Sequence, residues 1–218
     1  MIRTQQIDDA IAQIVACKPA DRRMVVGLAG APASGKSTLA KNLADRLTQL
    51  DHNAVVVPMD GYHISNDILS ERGLLHRKGA PETFDVSGFG DMLSRLGRDQ
   101  IVYYSVFDRA KDYAITAAGR VQPETKIAIV EGNYLLLNEP RWSDLGQYWD
   151  VSLALDVPLP TLRDRLIQRW EEFGMPLDAA KARTDQNDIP NAERTVSQSR
   201  PADILIKFDP DRDGASST

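Results

Sequence analysis

Six short apolar runs recur along the chain, separated by segments with helical periodicity. Runs of this length between helices are typical of strands buried on both faces of a parallel sheet. The alternation predicts a layered α/β fold, with three α/β/α layers, a mostly parallel sheet and right-handed crossovers. The runs are Met24 to Ala29, Ala54 to Pro58, Ile101 to Phe107, Ile127 to Val130, Val151 to Leu155 and Ile204 to Ile206.

Two stretches between these runs carry an apolar stripe at helical spacing. Such stripes mark the helix face that packs on a core. We therefore expect both helices to lie on the sheet, and we interpret Trp142, Trp149 and Trp170 as packing residues. The stripes are Leu39, Leu43 and Leu47, and then Leu162, Leu166, Trp170 and Phe173.

The chain has 218 residues, which suits one α/β domain over residues 1–218. Ile7, Ile11 and Ile14 predict an amphipathic helix within residues 1–20. The last stretch, 209–218, is rich in small and polar residues and is predicted to be disordered.

Charge and cysteine content narrow the classes of partner. The formal net charge is -5, with no dense basic run, which argues against a nucleic-acid partner. Cys17 is the only cysteine, so no internal disulfide can form, and we expect a cytoplasmic location. No uncharged apolar stretch reaches the ~20 residues that span a bilayer, so no membrane association is expected. His52, His63 and His76 lack metal-ligand spacing.

One eight-residue segment matches a phosphate-binding pattern. Gly30 to Ser37 reads G-x-x-x-x-G-K-S and lies between an apolar run and a striped helix, which is the context that the P-loop requires. Its backbone N–H groups would surround the phosphates of ATP, Lys36 would bridge the β- and γ-phosphates, and Ser37 would bind Mg²⁺. The predicted nucleotide-binding residues are Gly30, Ala31, Pro32, Ala33, Ser34, Gly35, Lys36, Ser37 and Thr38.

Two acids follow predicted strands, where a parallel sheet delivers side chains to a ligand. Asp60 follows the second run, and its carboxylate is a candidate to orient or deprotonate an attacking hydroxyl. Glu131 follows the fourth run, at the position of an acid that holds Mg²⁺ directly or through water. The alternative for each is an ordinary surface cap.

Basic side chains offer further candidates. Arg165 and Arg169 share a helix face and could clamp phosphates, although arginines on a solvated face are common. Asp108 and Arg109 follow the third run and would contact substrate, unless they form an exposed ion pair. His63 is a candidate substrate contact because it lies three residues beyond Asp60.

Segment 71–85 (ERGLLHRKGAPETFD) interrupts the strand and helix rhythm with two glycines and a proline. Loops of this length are often functional, so we interpret it as a loop over the acceptor site. A solvated connection without a role is the alternative.

Five segments resemble, in order, the phosphoribulokinase/uridine kinase family. Within that family the chain is similar to type I bacterial pantothenate kinases and to proteins described as fructose-transport or nucleoside kinases. The resemblance covers about residues 24–203. The segments are GAPASGKST, MDGYH, RKGAPETFD, VFDRAKD and VEGNYLLL.

The resemblance implies a kinase that transfers the γ-phosphoryl group of ATP, with Mg²⁺, to a hydroxyl of a small molecule. Asp60 then corresponds to the acid that activates the hydroxyl, and Glu131 to the magnesium-linked acid. Arg169, with Arg165 beside it, matches a lid-helix arginine that touches the nucleotide phosphates. The stretch from Arg77 to Asp85 resembles the segment bordering the acceptor site, which makes Lys78 and Asp85 candidate lining residues. A homodimer is also implied.

The acceptor stays open. Phe107-Asp108-Arg109 stands where pantothenate kinases present a Tyr-Ser-His-type segment, and Gly61-Tyr62-His63 differs from uridine kinases. A sugar, a nucleoside or a pantothenate-like compound is compatible with these residues.

Two other readings remain. A nucleotide-dependent switch is one, since Asp85-Val86-Ser87-Gly88 fits D-x-x-G, but no N-K-x-D guanine motif exists. A nucleoside monophosphate kinase is the other, and it would need several convergent arginines around the acceptor phosphate.

Overall fold

The computed structural model describes residues 2–209 and has a five-stranded sheet in the order β2-β5-β1-β6-β7, with every pairing parallel. Helices cover both faces of this sheet, so the predicted three-layer α/β/α fold is confirmed. The strands of the sheet are β1 (Met24–Gly30), β2 (Ala54–Pro58), β5 (Ile127–Gly132), β6 (Val151–Asp156) and β7 (Ile204–Lys207).

Seven α-helices and several shorter helical turns connect the strands of the described chain. The first helix lies inside the predicted 1–20 segment, and the predicted disordered tail lies outside the described residues except for Asp209, which pairs with Arg3. No helix among residues 2–209 is both long enough and apolar enough to cross a membrane. The α-helices are α1 (Thr4–Ala16), α2 (Lys36–Gln49), α3 (Asn66–Glu71), α4 (Val86–Leu96), α5 (Leu159–Glu172), α6 (Leu177–Arg183) and α7 (Ile189–Gln198).

Two hydrophobic cores pack against the sheet. One lies between the sheet and α1, α2, α5 and α7, and it includes the predicted stripe of Leu39, Leu43 and Leu47, all almost fully buried. Burying each such leucine stabilises the fold by about 1.5–3 kcal/mol. The second core lies under α4 and contains Phe89 and Tyr134. Trp142 is buried in this second core, and Trp149 packs against Gly27.

The run Ile101 to Phe107 was wrongly predicted to join the parallel sheet. It forms β3 (Val102–Asp108), which pairs antiparallel with β4 (Tyr113–Val121) in a separate two-stranded sheet. Tyr103 is 53% exposed, so the strand buries one face rather than two. An antiparallel hairpin needs only one covered face, and its aromatic residues explain why the run looked fully buried.

The carboxyl ends of β1, β2 and β5 meet at one edge of the sheet. Pro58 is level with Glu131, and Ala29 is level with Gly132. Residues that follow or end these strands are therefore brought together. The short 3-10 turn Met59–Tyr62 lies here against β3, and a Cβ atom on Gly61 would be 1.9 Å from the Ser105 carbonyl oxygen.

A π-turn, Thr184–Asp188, joins α6 to α7 without a break in the helical backbone. The combined helical segment runs along the edge of the sheet where β1, β2 and β5 end. Such turns hold one extra residue and are frequent at functional sites.

Candidate active site

The segment from Gly30 to Ser37 closes a tight loop at the start of α2. Gly35 has φ 92° and occupies the N-cap position with no side-chain cap, and a Cβ atom there would meet nothing within 4 Å. Ala33 also has a left-handed φ of 60°. The uncapped N–H groups of a 14-residue helix thus face open space, which is an arrangement that binds phosphate.

Lys36, Ser37 and Glu131 meet at the mouth of this loop. Ser37 Oγ donates a hydrogen bond to Glu131 Oε1 at 3.0 Å. Burial raises the pKa of Glu131, whose exposure is only 7%, and burial lowers the pKa of Lys36. Their opposite charges counteract both shifts. Two protein oxygens suit Mg²⁺, which usually keeps several water ligands.

A cleft of about 150 Å³ opens beside this cluster. Asp60 and Lys36 both line it. The Asp60 carboxylate accepts a hydrogen bond from Arg109 Nη2 at 2.7 Å, and its side chain is 21% exposed. The close approach of Gly61 to β3 holds Asp60 at this position.

His63 forms another part of the cleft wall. Its ring is packed between Phe84 and Phe107, with centroids 4.1 and 4.6 Å away. Nδ1 lies 2.8 Å from the Asp60 carbonyl oxygen, so Nδ1 carries a proton and donates it. Burial lowers the pKa of His63, which favours the neutral imidazole.

Lys78, in segment 71–85, is held by three oxygen atoms. Its Nζ donates to Asn66 Oδ1 at 2.6 Å and to the Asp112 carbonyl at 2.9 Å, and it pairs with Asp112 Oδ1 at 2.8 Å. It also lies 5.1 Å from the centre of the Phe107 ring. With 10% of its side chain exposed, Lys78 is a fixed positive charge in the cleft wall.

Polar side chains tie segment 71–85 to the π-turn and α7. Arg77 donates to Asn187 Oδ1 at 2.8 Å and to Asn191 Oδ1 at 3.3 Å. Asn187 Nδ2 in turn donates to the Lys78 carbonyl oxygen at 3.2 Å. The segment is therefore an ordered wall that includes the short helical turns Leu75–Arg77 and Pro81–Thr83.

Residues from α5, α6 and the π-turn form a further part of the cleft wall. Trp170 Nε1 donates to Asp188 Oδ2 at 2.6 Å, and burial raises the pKa of Asp188. The Arg183 guanidinium stacks on the Trp170 ring at 5.0 Å. Burial, and then the charge of Arg109, lowers the pKa of Arg169.

A second pocket, of about 410 Å³, lies on the other side of the phosphate loop. Gly35, Thr38 and Asn42 line it together with apolar side chains. Arg165 donates to the Ser34 carbonyl at 3.2 Å and stacks on Phe208 at 4.5 Å. The phosphate loop therefore separates an apolar pocket from the polar cleft that contains Asp60.

Comparison with known proteins identifies the class of this arrangement. A family model described as an AAA domain matches residues 26–181. A crystal structure of a "putative fructose transport system kinase" from Silicibacter sp. TM1040 is 45% identical, with a TM-score of 0.89, over 93% of this chain and 98% of that one.

Two curated relatives of the chain are also named as kinases. A "putative uridine kinase" of Schizosaccharomyces pombe is 34% identical over 85% of this chain and 83% of that protein. A pantothenate kinase of Limosilactobacillus fermentum is 32% identical over 72% of this chain and 51% of that protein. The chain belongs to the phosphoribulokinase/uridine kinase family of P-loop kinases. It is a phosphotransferase with a hydroxyl acceptor, and its predicted resemblance to that family is confirmed.

The structure of this kinase brings together most of the predicted site residues. Around the cleft lie Lys36, Asp60, His63, Lys78, Arg109 and Arg169, together with Pro32 and Ala33. Glu131 and Ser37 adjoin them, and Arg165 lies with Thr38 in the second pocket.

Asp85 and Asp108 do not line the cleft of the kinase. Asp85 caps α4 and accepts a hydrogen bond from the Gly88 N–H at 3.0 Å, which also accounts for the D-x-x-G match. Asp108 accepts from the N–H groups of Ala110 and Lys111 at 3.1 Å each and so shapes the β3–β4 turn. Both carboxylates stabilise backbone rather than face a ligand.

Several cleft residues of the kinase were absent from the predicted site. Trp170, interpreted from the sequence as a packing residue, also lines the cleft, because its stripe leaves the core after Leu166 and Phe173 is 59% exposed. Asn133 lies two residues beyond Glu131, and its buried Oδ1 has no hydrogen-bond partner within the described residues. Arg183 and Asp188 belong to no sequence motif, and they reach the cleft through the packing of α6 and of the π-turn.

Proposed function

We propose that this kinase uses ATP and Mg²⁺ to phosphorylate a hydroxyl group of a small metabolite in the cleft between Asp60 and segment 71–85. One observation carries the proposal: Lys36, Asp60 and Arg169 come from three separate parts of the chain and line the same cleft. Phosphoryl transfer needs this combination, because the protein contributes mainly positioning and charge.

The nucleotide would span the phosphate loop. Its base would enter the second pocket, which is lined by Thr38, Asn42, Arg165 and Phe208 among others. Its phosphates would lie on the N-terminus of α2. Lys36 would then reach the γ-phosphate at the border of the cleft.

Ser37 and Glu131 would hold Mg²⁺ beside these phosphates. The bound ion would supply positive charge that offsets the charge developing on the transferred group. Burial raises the pKa of Glu131 despite the opposing charge of Lys36, and the Ser37 hydroxyl contacts the carboxylate that the ion would share.

Asp60 would orient the acceptor hydroxyl and take its proton as the new phosphoester bond forms, while the bond from the γ-phosphorus to the β–γ bridging oxygen breaks and ADP leaves. Arg109 donates to this carboxylate at 2.7 Å, and the incoming hydroxyl would share or replace that contact. Asn133 Oδ1, which has no partner among the described residues, offers a second acceptor for a substrate hydroxyl. The walls formed by segment 71–85 and α5 would limit access of water to the γ-phosphate.

The test is ADP formation from ATP and Mg²⁺ across a panel of sugars, nucleosides and pantothenate, with a control that lacks an acceptor. We expect one class of hydroxyl compound to raise the rate far above this control. Asp60→Asn should lower turnover by about 10²–10⁴-fold while ATP still binds.

Asp67→Asn is the matched control, because Asp67 lies nearby on α3 and is exposed. This variant should keep wild-type turnover. Full turnover of Asp60→Asn would exclude Asp60 as the base, and an ATPase rate independent of every acceptor would contradict the kinase function.

A further inference from the structure

The cleft continues outward into a larger chamber of about 840 Å³. The two spaces share the side chains at their junction, including four cationic ones and a single carboxylate. The cations are Lys78, Arg109, Arg169 and Arg183, and the carboxylate is Asp112. A ligand that spans both spaces would therefore contact a junction at which cationic side chains outnumber carboxylates.

The ion pairs of the described chain neutralise only part of this charge. Arg109 pairs with Asp60, and Lys78 pairs with Asp112. Arg169 and Arg183 form no ion pair within residues 2–209. The charge of the Asp188 carboxylate, which also lines the cleft, acts on both guanidinium groups and compensates them in part. An anion that contacts a guanidinium directly would add to this compensation.

The triphosphate of ATP accounts for Arg169 but not for Arg183. Arg169 lines the cleft together with Pro32 and Lys36, and its charge acts on Lys36. Arg183 is held beside segment 71–85, with Nη2 3.5 Å from the Lys78 carbonyl oxygen, and it does not line the second pocket.

Arg183 also has an unused hydrogen-bond donor. Its Nε is buried and has no partner among the described residues, although the guanidinium plane is fixed by the Trp170 ring at 5.0 Å. A buried N–H without a partner is destabilising, so a ligand that accepts from it would be bound favourably. Guanidinium groups bind carboxylate and phosphate through paired hydrogen bonds.

We propose that the acceptor of this kinase carries an anionic group, a carboxylate or a phosphate, which Arg183 binds at the junction while the reacting hydroxyl faces Asp60. The fixed charges of Lys78 and Arg109 add to the attraction. This inference rests on the proposed function, because only a kinase would use the bound molecule as its acceptor. It adds the chemical class of that acceptor.

The test measures binding and turnover separately. Protein saturated with a non-hydrolysable ATP analogue and Mg²⁺, which occupies the phosphate loop, is titrated calorimetrically with inorganic phosphate and with matched pairs of compounds. The pairs are D-ribose 5-phosphate with D-ribose, and pantothenate with pantothenyl alcohol, so that phosphate and carboxylate are tested independently.

We expect saturable binding of at least one anion, and at least about tenfold weaker binding of its neutral counterpart. Arg183→Gln should remove most of this preference while leaving affinity for the ATP analogue unchanged, which also shows that the variant is folded. Lys181→Gln is the matched control, because Lys181 is an exposed cation on the same helix and does not line the cleft.

Equal binding of both members of each pair, an unchanged preference in Arg183→Gln, or no saturable binding of any anion would overturn the inference. ADP formation with neutral acceptors alone would keep the kinase function and overturn the anionic acceptor. Anion binding without ADP formation from any acceptor would keep the anion site at Arg183 and overturn the kinase function, so the bound anion would not be an acceptor.

Discussion

The two sides of the cleft are constructed differently. On the nucleotide side, one continuous segment, Gly30 to Ser37, forms the phosphate loop with its own backbone, and the parallel strands place Glu131 next to it. On the acceptor side, the wall is assembled from segment 71–85, the β3–β4 hairpin and the π-turn, which are held together by side-chain hydrogen bonds.

This difference separates a general function from a specific one. Backbone N–H groups bind the phosphates of any nucleoside triphosphate. Side chains from distant segments can be exchanged one at a time, so the acceptor wall can change its ligand while the fold stays the same. We expect substitutions on the two sides to affect different kinetic constants.

After Asp60→Asn, the largest effect is expected on the nucleotide side. Lys36→Met removes the charge that would move with the γ-phosphate, and turnover should fall by about 10²–10³-fold. Lys41→Met is the control, because Lys41 is exposed on the same helix. Steady-state kinetics would measure both, and a loss below about tenfold in Lys36→Met would rule out this role.

Gly61→Ala tests the contact that joins the two sides. The new Cβ would lie 1.9 Å from the Ser105 carbonyl, so the turn that carries Asp60 must move away from β3. A displacement of about 1 Å at a catalytic group costs about 100-fold in rate, and we expect a loss of that size with a lower melting temperature.

Gly90→Ala provides the comparison for this variant. A Cβ there meets only Leu145 Cδ2, at an ordinary 3.7 Å, and Gly90 lies inside α4. Alanine in a helix interior is favoured by about 0.5–1 kcal/mol, so this variant should be as stable as wild type or more so. Similar melting temperatures for both variants would contradict the proposed clash.

Arg77→Gln should act on the acceptor side alone. It removes the hydrogen bonds to Asn187 and Asn191 that fix segment 71–85. We expect the KM for the acceptor to rise by about tenfold with little change in the KM for ATP, and amide hydrogens of the segment to exchange faster. Arg72→Gln changes an exposed arginine at the start of the segment. It should alter neither the KM for the acceptor nor the exchange rate of the amide hydrogens.

The smallest effect concerns the pH dependence of stability. Burial lowers the pKa of His63 from its ordinary value of 6.5, so the unfolded chain binds a proton there more readily than the folded chain. The His63 contribution to stability is therefore complete above pH 6.5 and is lost as the pH falls. His63→Phe, which can fill the space between Phe84 and Phe107, should reduce this acid-dependent loss.

Denaturant unfolding at about pH 7.5 and about pH 5.5 would measure the change, which is at most about 1.4 kcal/mol. The wild-type protein, measured at the same two pH values, provides the reference for this difference. An identical difference in His63→Phe would show that His63 does not contribute in this way.

How well each side of the cleft could be predicted from the sequence depends on how that side is assembled. The P-loop is contiguous, and Asp60 and Glu131 follow apolar strands whose carboxyl ends must meet in a parallel sheet, so their locations could be predicted. The roles of these residues stay predictions until the variants are measured.

The acceptor wall was harder to predict for two physical reasons. The β3 run has the composition of a buried strand, and only its pairing with the mostly exposed β4 shows that it belongs to a hairpin. Arg183 reaches Lys78 across 105 positions in the chain, and nothing in the local sequence of α6 indicates that contact. Long-range side-chain contacts of this kind depend on the assembled fold.

The π-turn between α6 and α7 has an evolutionary consequence. Each residue of a regular helix advances the direction of the side chains by about 100°, so the loss of one residue from Thr184–Asp188 would rotate everything beyond it by that angle. Asn191 would turn away from Arg77, while Arg183, which precedes the turn, would keep its place. A single-codon deletion could therefore detach one wall of the acceptor cavity and leave the phosphate loop intact, which makes this turn a point at which related enzymes can diverge in substrate.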